Sequence, residues 1–145
     1  MFNIRIERVL NKPIADVFDA LADHANYARF RGIKVSRLLE EGKSQENGEG
    51  ALRFLDLGKV QFEERITQFQ RPTLLGYQIE KSSPLPFKHE IGEIRLTEDG
   101  DKTHVLWVSR GRITVPLLGR FYLDGMFEQQ GVKGFTSLLK QIEAM

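Results

Sequence analysis

Residues 117–144 read LLGRFYLDGMFEQQGVKGFTSLLKQIEA, and their spacing decides the fold. Leu118, Phe121, Gly125, Val132, Phe135, Leu139 and Ile142 follow one another in steps of three, four or seven, which is one face of an amphipathic helix. A helix over this stretch runs roughly 35 Å, long enough to cross a small domain. Gly125, Gly131 and Gly134 lie inside it, and each weakens a helix by roughly 1 kcal/mol against alanine. Something has to offset them. Either the backbone passes close to the sheet or to a ligand there, or the helix breaks near Gly131.

Upstream of this helix, from Gly32 to Thr114, the text is strand and turn. Ile33 to Leu39 is one strand, closed by the polar loop Glu41 to Gly50. Ala51 to Leu57 and Val60 to Phe69 flank the short turn Leu57-Gly58-Lys59. Gln70-Arg71-Pro72-Thr73 breaks the next pair, because Pro72 fixes its own φ and steers Arg71 out of the helical region. Leu74 to Glu80 follows, then Ser82-Ser83-Pro84-Leu85-Pro86, expected to be irregular. Ile91 to Leu96 and His104 to Val115 are joined by the hairpin signal Glu98 to Lys102.

The chain opens with Phe2, Ile4 and Ile6 alternating with polar residues, the period of a half-buried strand. Ile14, Val17, Phe18 and Leu21 then switch to helical spacing behind Pro13, and a second short helical piece covers Asp23 to Phe30. The order is strand, two short helices, six strands and one long helix, an α+β class. A twisted seven-stranded antiparallel sheet with one covered face has to curl, and the long C-terminal helix is the element able to fill its concave side.

A chain of 145 residues holds one domain, residues 1–145. Its 10 phenylalanines can fill a core or line a cavity without polar groups to satisfy. With 21 basic and 20 acidic residues there is no overall field to attract nucleic acid or an anionic membrane. Arg29, Arg31, Lys34 and Arg37 form the densest basic stretch, either a solvated face or a partner contact. No cysteine is present, so no disulfide framework or thiolate chemistry arises. Arg5, Glu7, Arg8 and Lys12 interrupt the start, and no stretch approaches the ~20 apolar residues of a membrane span. The expectation is a cytoplasmic protein without membrane insertion, with a homodimer possible through any exposed apolar entrance.

Several stretches resemble the START-like, helix-grip (Bet v 1-like) superfamily, and within it the bacterial polyketide cyclase/dehydrase-like (SRPBCC) group. They are Pro13-x-x-x-Val17-Phe18-x-x-Leu21-x-Asp23 with Tyr27, then Ile66-Thr67-Gln68-Phe69-Gln70-Arg71-Pro72 leading to Leu75 and Tyr77. Thr103-x-Val105-x-Trp107 and Leu138-Leu139-Lys140 complete the set, with Lys102-Thr103 where Gly-Thr is commoner. These are packing and turn features, so they speak to fold more than to chemistry. The resemblance implies a cavity between sheet and C-terminal helix for a lipid, sterol, polyketide or other apolar molecule. Asp23 to Phe30 is also similar to the quinone-binding, ribosome-associated branch, although no Pro-Trp or Pro-Tyr pair follows Phe30.

The wall of such a cavity takes one parity of each strand. Phe62 and Ile66 set the inward parity, which places Glu64 among them; a carboxylate there can act as a general acid or base, or pair with an arginine near the mouth, unless a bulge turns it outward. Tyr77, Trp107 and Ser109 face inward with Leu75 and Val105, either orienting a ligand or serving as core, while Arg110 and Arg112 point to solvent. Phe30 joins from the second short helix, and Phe121 and Phe127 from the last one. His89, behind the Pro84–Phe87 loop, is the histidine best placed for acid–base work at a rim, with a surface position as the alternative. His24, His89 and His104 show no metal-ligand spacing, and nothing implies a cofactor. The loop Ser82 to Lys88 and the segment Pro116-Leu117-Leu118-Gly119 are candidates for a gate.

Three functions compete. Binding or transport of a small apolar molecule ranks first, because no catalytic constellation is evident. A cyclase or dehydratase using Glu64, Tyr77 or His89 in the same cavity is second. A protein-interaction module of the ribosome-associated type is third.

Overall fold

The computed structural model describes residues 1–145. Strand β1 (Phe2–Leu10) leads into helix α1 (Ile14–Ala22) and a 3-10 helix over His24–Arg29. Strands β2 (Val35–Glu40), β3 (Leu52–Asp56), β4 (Gln61–Gln70), β5 (Leu74–Ser83), β6 (Phe87–Asp99) and β7 (Lys102–Ile113) follow. A π-helical turn, Gly119–Leu123, opens directly into helix α2 (Asp124–Glu143). The seven strands form one antiparallel sheet in the order β1-β7-β6-β5-β4-β3-β2, a meander closed by β1 against β7. The chain is therefore the helix-grip fold its patterning implies.

The sheet curls because its strands are not in uniform register. The β4–β5 pairing shifts between Glu63 and Glu64 and again between Ile66 and Gln68, and β6 slips against β7 between His89 and Ile91. Each bulge adds local twist and bends the strand. Two strands are also longer than their sequence signals. β5 runs on through Ser82 and Ser83, where Ser83 pairs with Gln61, and β6 starts at Phe87 rather than Ile91. Cross-strand partners were available at both places, and pairing overrode local polarity.

One end of the concave side is closed. Val17, Phe18 and Leu21 of α1 meet Leu96, Val105, Leu139 and Ile142 in a fully apolar core, with Phe18 edge-on to Phe69 at 5.2 Å. The other end is covered only by the first half of α2, whose Phe127 is half-buried. Helix α2 lies along β1, an edge strand whose outer N–H groups need partners, and it supplies them at both of its ends. Glu128 accepts from the Asn3 amide at 3.1 Å and Glu143 from the Asn11 amide at 2.7 Å.

The glycines divide accordingly. Helix α2 is unbroken through Gly131, and a Cβ there would collide with the buried Ile4 side chain. Gly125 and Gly134 face open space, so close approach accounts for one glycine of the three. Gly134→Ala should raise stability by about 1 kcal/mol through helix propensity. Gly131→Val should lower it by about 1–3 kcal/mol by forcing α2 off β1. Urea unfolding of the two variants checks the contrast.

Candidate functional site

The hairpin β3–β4 places Arg53 directly opposite Glu64, both on the concave face and both buried. The Arg53 Nε and Nη2 groups donate to one carboxylate oxygen, Glu64 Oε1, at 2.8 and 2.7 Å. Nη1 reaches His24 Nδ1 at 3.2 Å, and the guanidinium lies 4.9 Å from the Tyr27 ring and 5.3 Å from the Tyr77 ring. Burial works against the Arg53 charge, but Glu64 and the two tyrosines outweigh it and the guanidinium stays protonated.

The histidine states follow from their partners. An arginine N–H can only donate, so His24 Nδ1 accepts and Nε2–H donates to the Asn47 carbonyl at 2.9 Å. Burial, reinforced by Arg53, pushes the His24 pKa down to about 3, against the pull of the Asn47 bond. His89 Nδ1 accepts from the Ile79 amide at 3.0 Å, which leaves Nε2–H to donate to Ser109 Oγ at 2.9 Å. Burial lowers the His89 pKa, opposed by the nearby Glu64 charge. His89 also stacks on Tyr77 at 5.6 Å, and Trp107 Nε1 donates to the Tyr77 hydroxyl at 2.8 Å. Burial first, and then Glu64, raise the Tyr77 pKa, so its phenol keeps its proton.

The expected wall residues fall into two groups and two exceptions. Glu64, Tyr77, Trp107 and Ser109 meet in the buried polar cluster, with Glu64 facing inward despite the adjacent bulge. Its partner is a buried arginine within the sheet, not one at a mouth. Phe62 and Phe127 join Phe2 and Phe87 in an aromatic group, with Phe127 4.7 Å from Phe2 and 4.8 Å from Phe87. Phe30 is buried but packs edge-on against Tyr27 under the 3-10 helix. Phe121 is corrected by the structure: it is 73% exposed, because the π-helical turn rotates it away from the sheet. His89 is neither at a rim nor on the surface but buried, since the slip at Glu90 reverses the parity counted back from Ile94 and Leu96.

Sequence reasoning missed Arg53 and His24, and named Tyr27 as a fold residue without placing it at the site. Arg53 was legible: it stands as many residues before the Gly58-Lys59 turn as Glu64 stands after it, so an inward Glu64 implies an inward Arg53. No comparable signal marked His24. No three His, Asp or Glu side chains are grouped to hold a metal ion.

The interval between α2 and the sheet is occupied by side chains. Besides the phenylalanine group, Phe135 stacks flat on Trp107 at 4.0 Å. Two open depressions of about 490 and 290 Å³ lie on the outer flank of α2, beside Arg31, Val132 and Lys133, and neither includes an expected wall residue.

A family model described as polyketide cyclase / dehydrase and lipid transport matches residues 1–143. The chain belongs to that family. No curated protein matches it. Among solved structures it resembles a START superfamily protein from Mycobacterium smegmatis, at TM-score 0.80 and 12% identity over 99% of this chain and 96% of that one. A protein from Thermus thermophilus aligns at TM-score 0.77 and 16% identity over 98% and 94% of the two chains. An aromatase/cyclase from Streptomyces sp. R1128 aligns at TM-score 0.70 and 19% identity over 97% and 93%. At these identities the likeness establishes the fold alone.

The buried histidines make stability depend on pH. Below its ordinary pKa the unfolded chain binds a proton at His24 that the folded chain refuses until about pH 3. Stability contributed by neutral His24 is therefore full above about pH 6.5 and falls as the solution is acidified, by about 2 kcal/mol at pH 5. His24→Gln should flatten this part of the pH–stability curve, measured by urea unfolding between pH 7.5 and pH 5.

Proposed function

We propose that this protein binds and carries a small, mainly apolar molecule between α2 and the concave face of the sheet. The observation that carries the reading is the commitment of each acid–base candidate to an internal partner. Glu64 is paired with Arg53, Tyr77 is held protonated, and both His89 nitrogens are engaged. Such groups orient a ligand better than they exchange protons with it.

Space for the ligand would come from Phe127, on the loosely covered half of α2, and from Phe135 just past the middle of the helix, both half-buried. Their displacement exposes Trp107 and the phenylalanine group to apolar contact and brings a ligand's polar atom to the Tyr77 and Ser109 hydroxyls. The description of the family includes lipid transport, which supports this reading. A cyclase or dehydratase step ranks second. The aromatase/cyclase neighbour favours it, but it requires a residue free to take a proton near neutral pH.

Trp107 is the chain's single tryptophan and reports on the proposed site. Titration with palmitate or a naphthalene fluorophore should change its emission saturably, and Phe135→Ala should alter the response. Native mass spectrometry on protein purified without detergent should show a discrete added mass that denaturation releases. A clean mass together with unchanging emission for both probes would contradict the proposal.

A further inference from the structure

The structure gathers four chain segments at one end of the sheet. The β3–β4 turn, Leu57 to Val60, sits beside the β5–β6 link because Gln61 pairs with Ser83. That link sits beside the exit of β7, where Phe87 pairs with Ile113 and the Thr114 amide donates to Pro86 at 2.9 Å. The start of β2 joins them, with the Lys34 amide on the Asp56 carbonyl at 2.7 Å. Directly behind this end lie Phe62, Phe87 and Phe127.

The surface there is apolar to an unusual degree for a small soluble fold. Leu117, Leu118, Phe121 and Tyr122 are 75%, 58%, 73% and 63% exposed, in almost consecutive positions. Leu117 has φ 64°, a left-handed conformation that a leucine rarely adopts, and it is used here to present an apolar side chain to solvent. A contiguous apolar surface of this kind marks a contact with another apolar phase.

Charge is segregated around it. Lys34, Lys59, Lys88, Arg112 and Arg120 are exposed at or beside the same end, and none forms an ion pair within the chain. The opposite end carries Glu41, Glu46 and Glu49 in the β2–β3 loop and Glu98, Asp99 and Asp101 at the β6–β7 turn, relieved in those loops by Lys43 and Lys102. Asp56 at the β3–β4 turn and Arg71 at the β4–β5 turn run against the trend, yet a formal net charge of +1 conceals one end where basic residues predominate and one where acidic residues do.

We propose that the basic, apolar end docks on the surface of a lipid bilayer containing anionic headgroups. Leu117, Leu118, Phe121 and Tyr122 enter the headgroup–acyl boundary while the lysines and arginines meet the phosphates. No helix is long and apolar enough to cross a membrane, so the contact is peripheral. A second copy of the chain fits this surface poorly, because an isologous contact would bring two clusters of Lys88, Arg112 and Arg120 into one interface. The inference rests on the proposed binding function: docking sets the bilayer against the group that contains Phe127, which an incoming ligand would displace.

Co-sedimentation with extruded vesicles tests it, comparing phosphatidylcholine alone with an equimolar mixture of phosphatidylcholine and phosphatidylglycerol. The protein should bind the mixed vesicles and leave them near 1 M salt, where the screening length is about 3 Å. Leu118→Ser/Tyr122→Ser and Arg112→Glu/Arg120→Glu should each weaken binding by about tenfold or more. Glu98→Lys/Asp101→Lys at the far end should bind no more weakly than the wild type. Unaltered urea midpoints confirm that the variants are folded. Failure of the wild type to bind the mixed vesicles overturns the proposal. So does a dimer, seen by sedimentation without vesicles, that Leu118→Ser/Tyr122→Ser dissociates. A saturable Trp107 titration alongside failed vesicle binding would refute docking alone; loss of both would remove the binding function as well.

Discussion

The interior is organised around one ion pair that has no water to help it. Arg53 and Glu64 face each other across β3 and β4, and taking two charges out of solvent is costly unless geometry and further partners compensate. Compensation comes from three directions. The tyrosine rings of the 3-10 helix and β5 lie against the guanidinium, His24 accepts from it, and the hairpin register fixes the carboxylate at contact distance. Burial is the main reason that His24 stays neutral and that the Tyr77 pKa is raised, and the Arg53 and Glu64 charges reinforce the two shifts. One cross-strand pair thus adds to the protonation preferences that burial sets on the concave face.

The pair also divides the molecule. On one side α1 and the second half of α2 close an apolar core. On the other, the first half of α2 lies along β1 through Gly131, Glu128 and a few aromatic contacts, with its outer surface open. A rigid floor of charge and aromatic rings, opposite a helix segment that is only partly buried, suits a protein that admits a molecule. Among the side chains filling that interval, Phe127 and Phe135 of α2 are half-buried.

Most of the fold was legible because period-2 and period-3.6 patterns are direct consequences of burying one face. The burial of Phe2, Ile4 and Ile6 on β1 and of Leu139 and Ile142 on α2 needed nothing beyond that rule. The site was legible where alternation held without interruption, as at Glu64, Tyr77, Trp107 and Ser109. It failed where geometry departs from the ideal. A slipped register reversed His89, and a π-helical turn exposed Phe121. Arg53 was passed over because an arginine in a strand reads as solvated until its partner across the hairpin is considered. Composition was misleading in a similar way, since a balanced charge total carries no information about which end of the sheet each residue occupies.

A double-mutant cycle on the ion pair tests this account most directly. Glu64→Gln leaves the Arg53 charge buried and uncompensated, and should destabilise the protein by about 3–5 kcal/mol in urea unfolding. Arg53→Met combined with Glu64→Leu should recover most of that loss, because removing both charges together also removes the desolvation penalty. If Glu64→Gln instead unfolds at the wild-type midpoint, the pair is not the structural element described here.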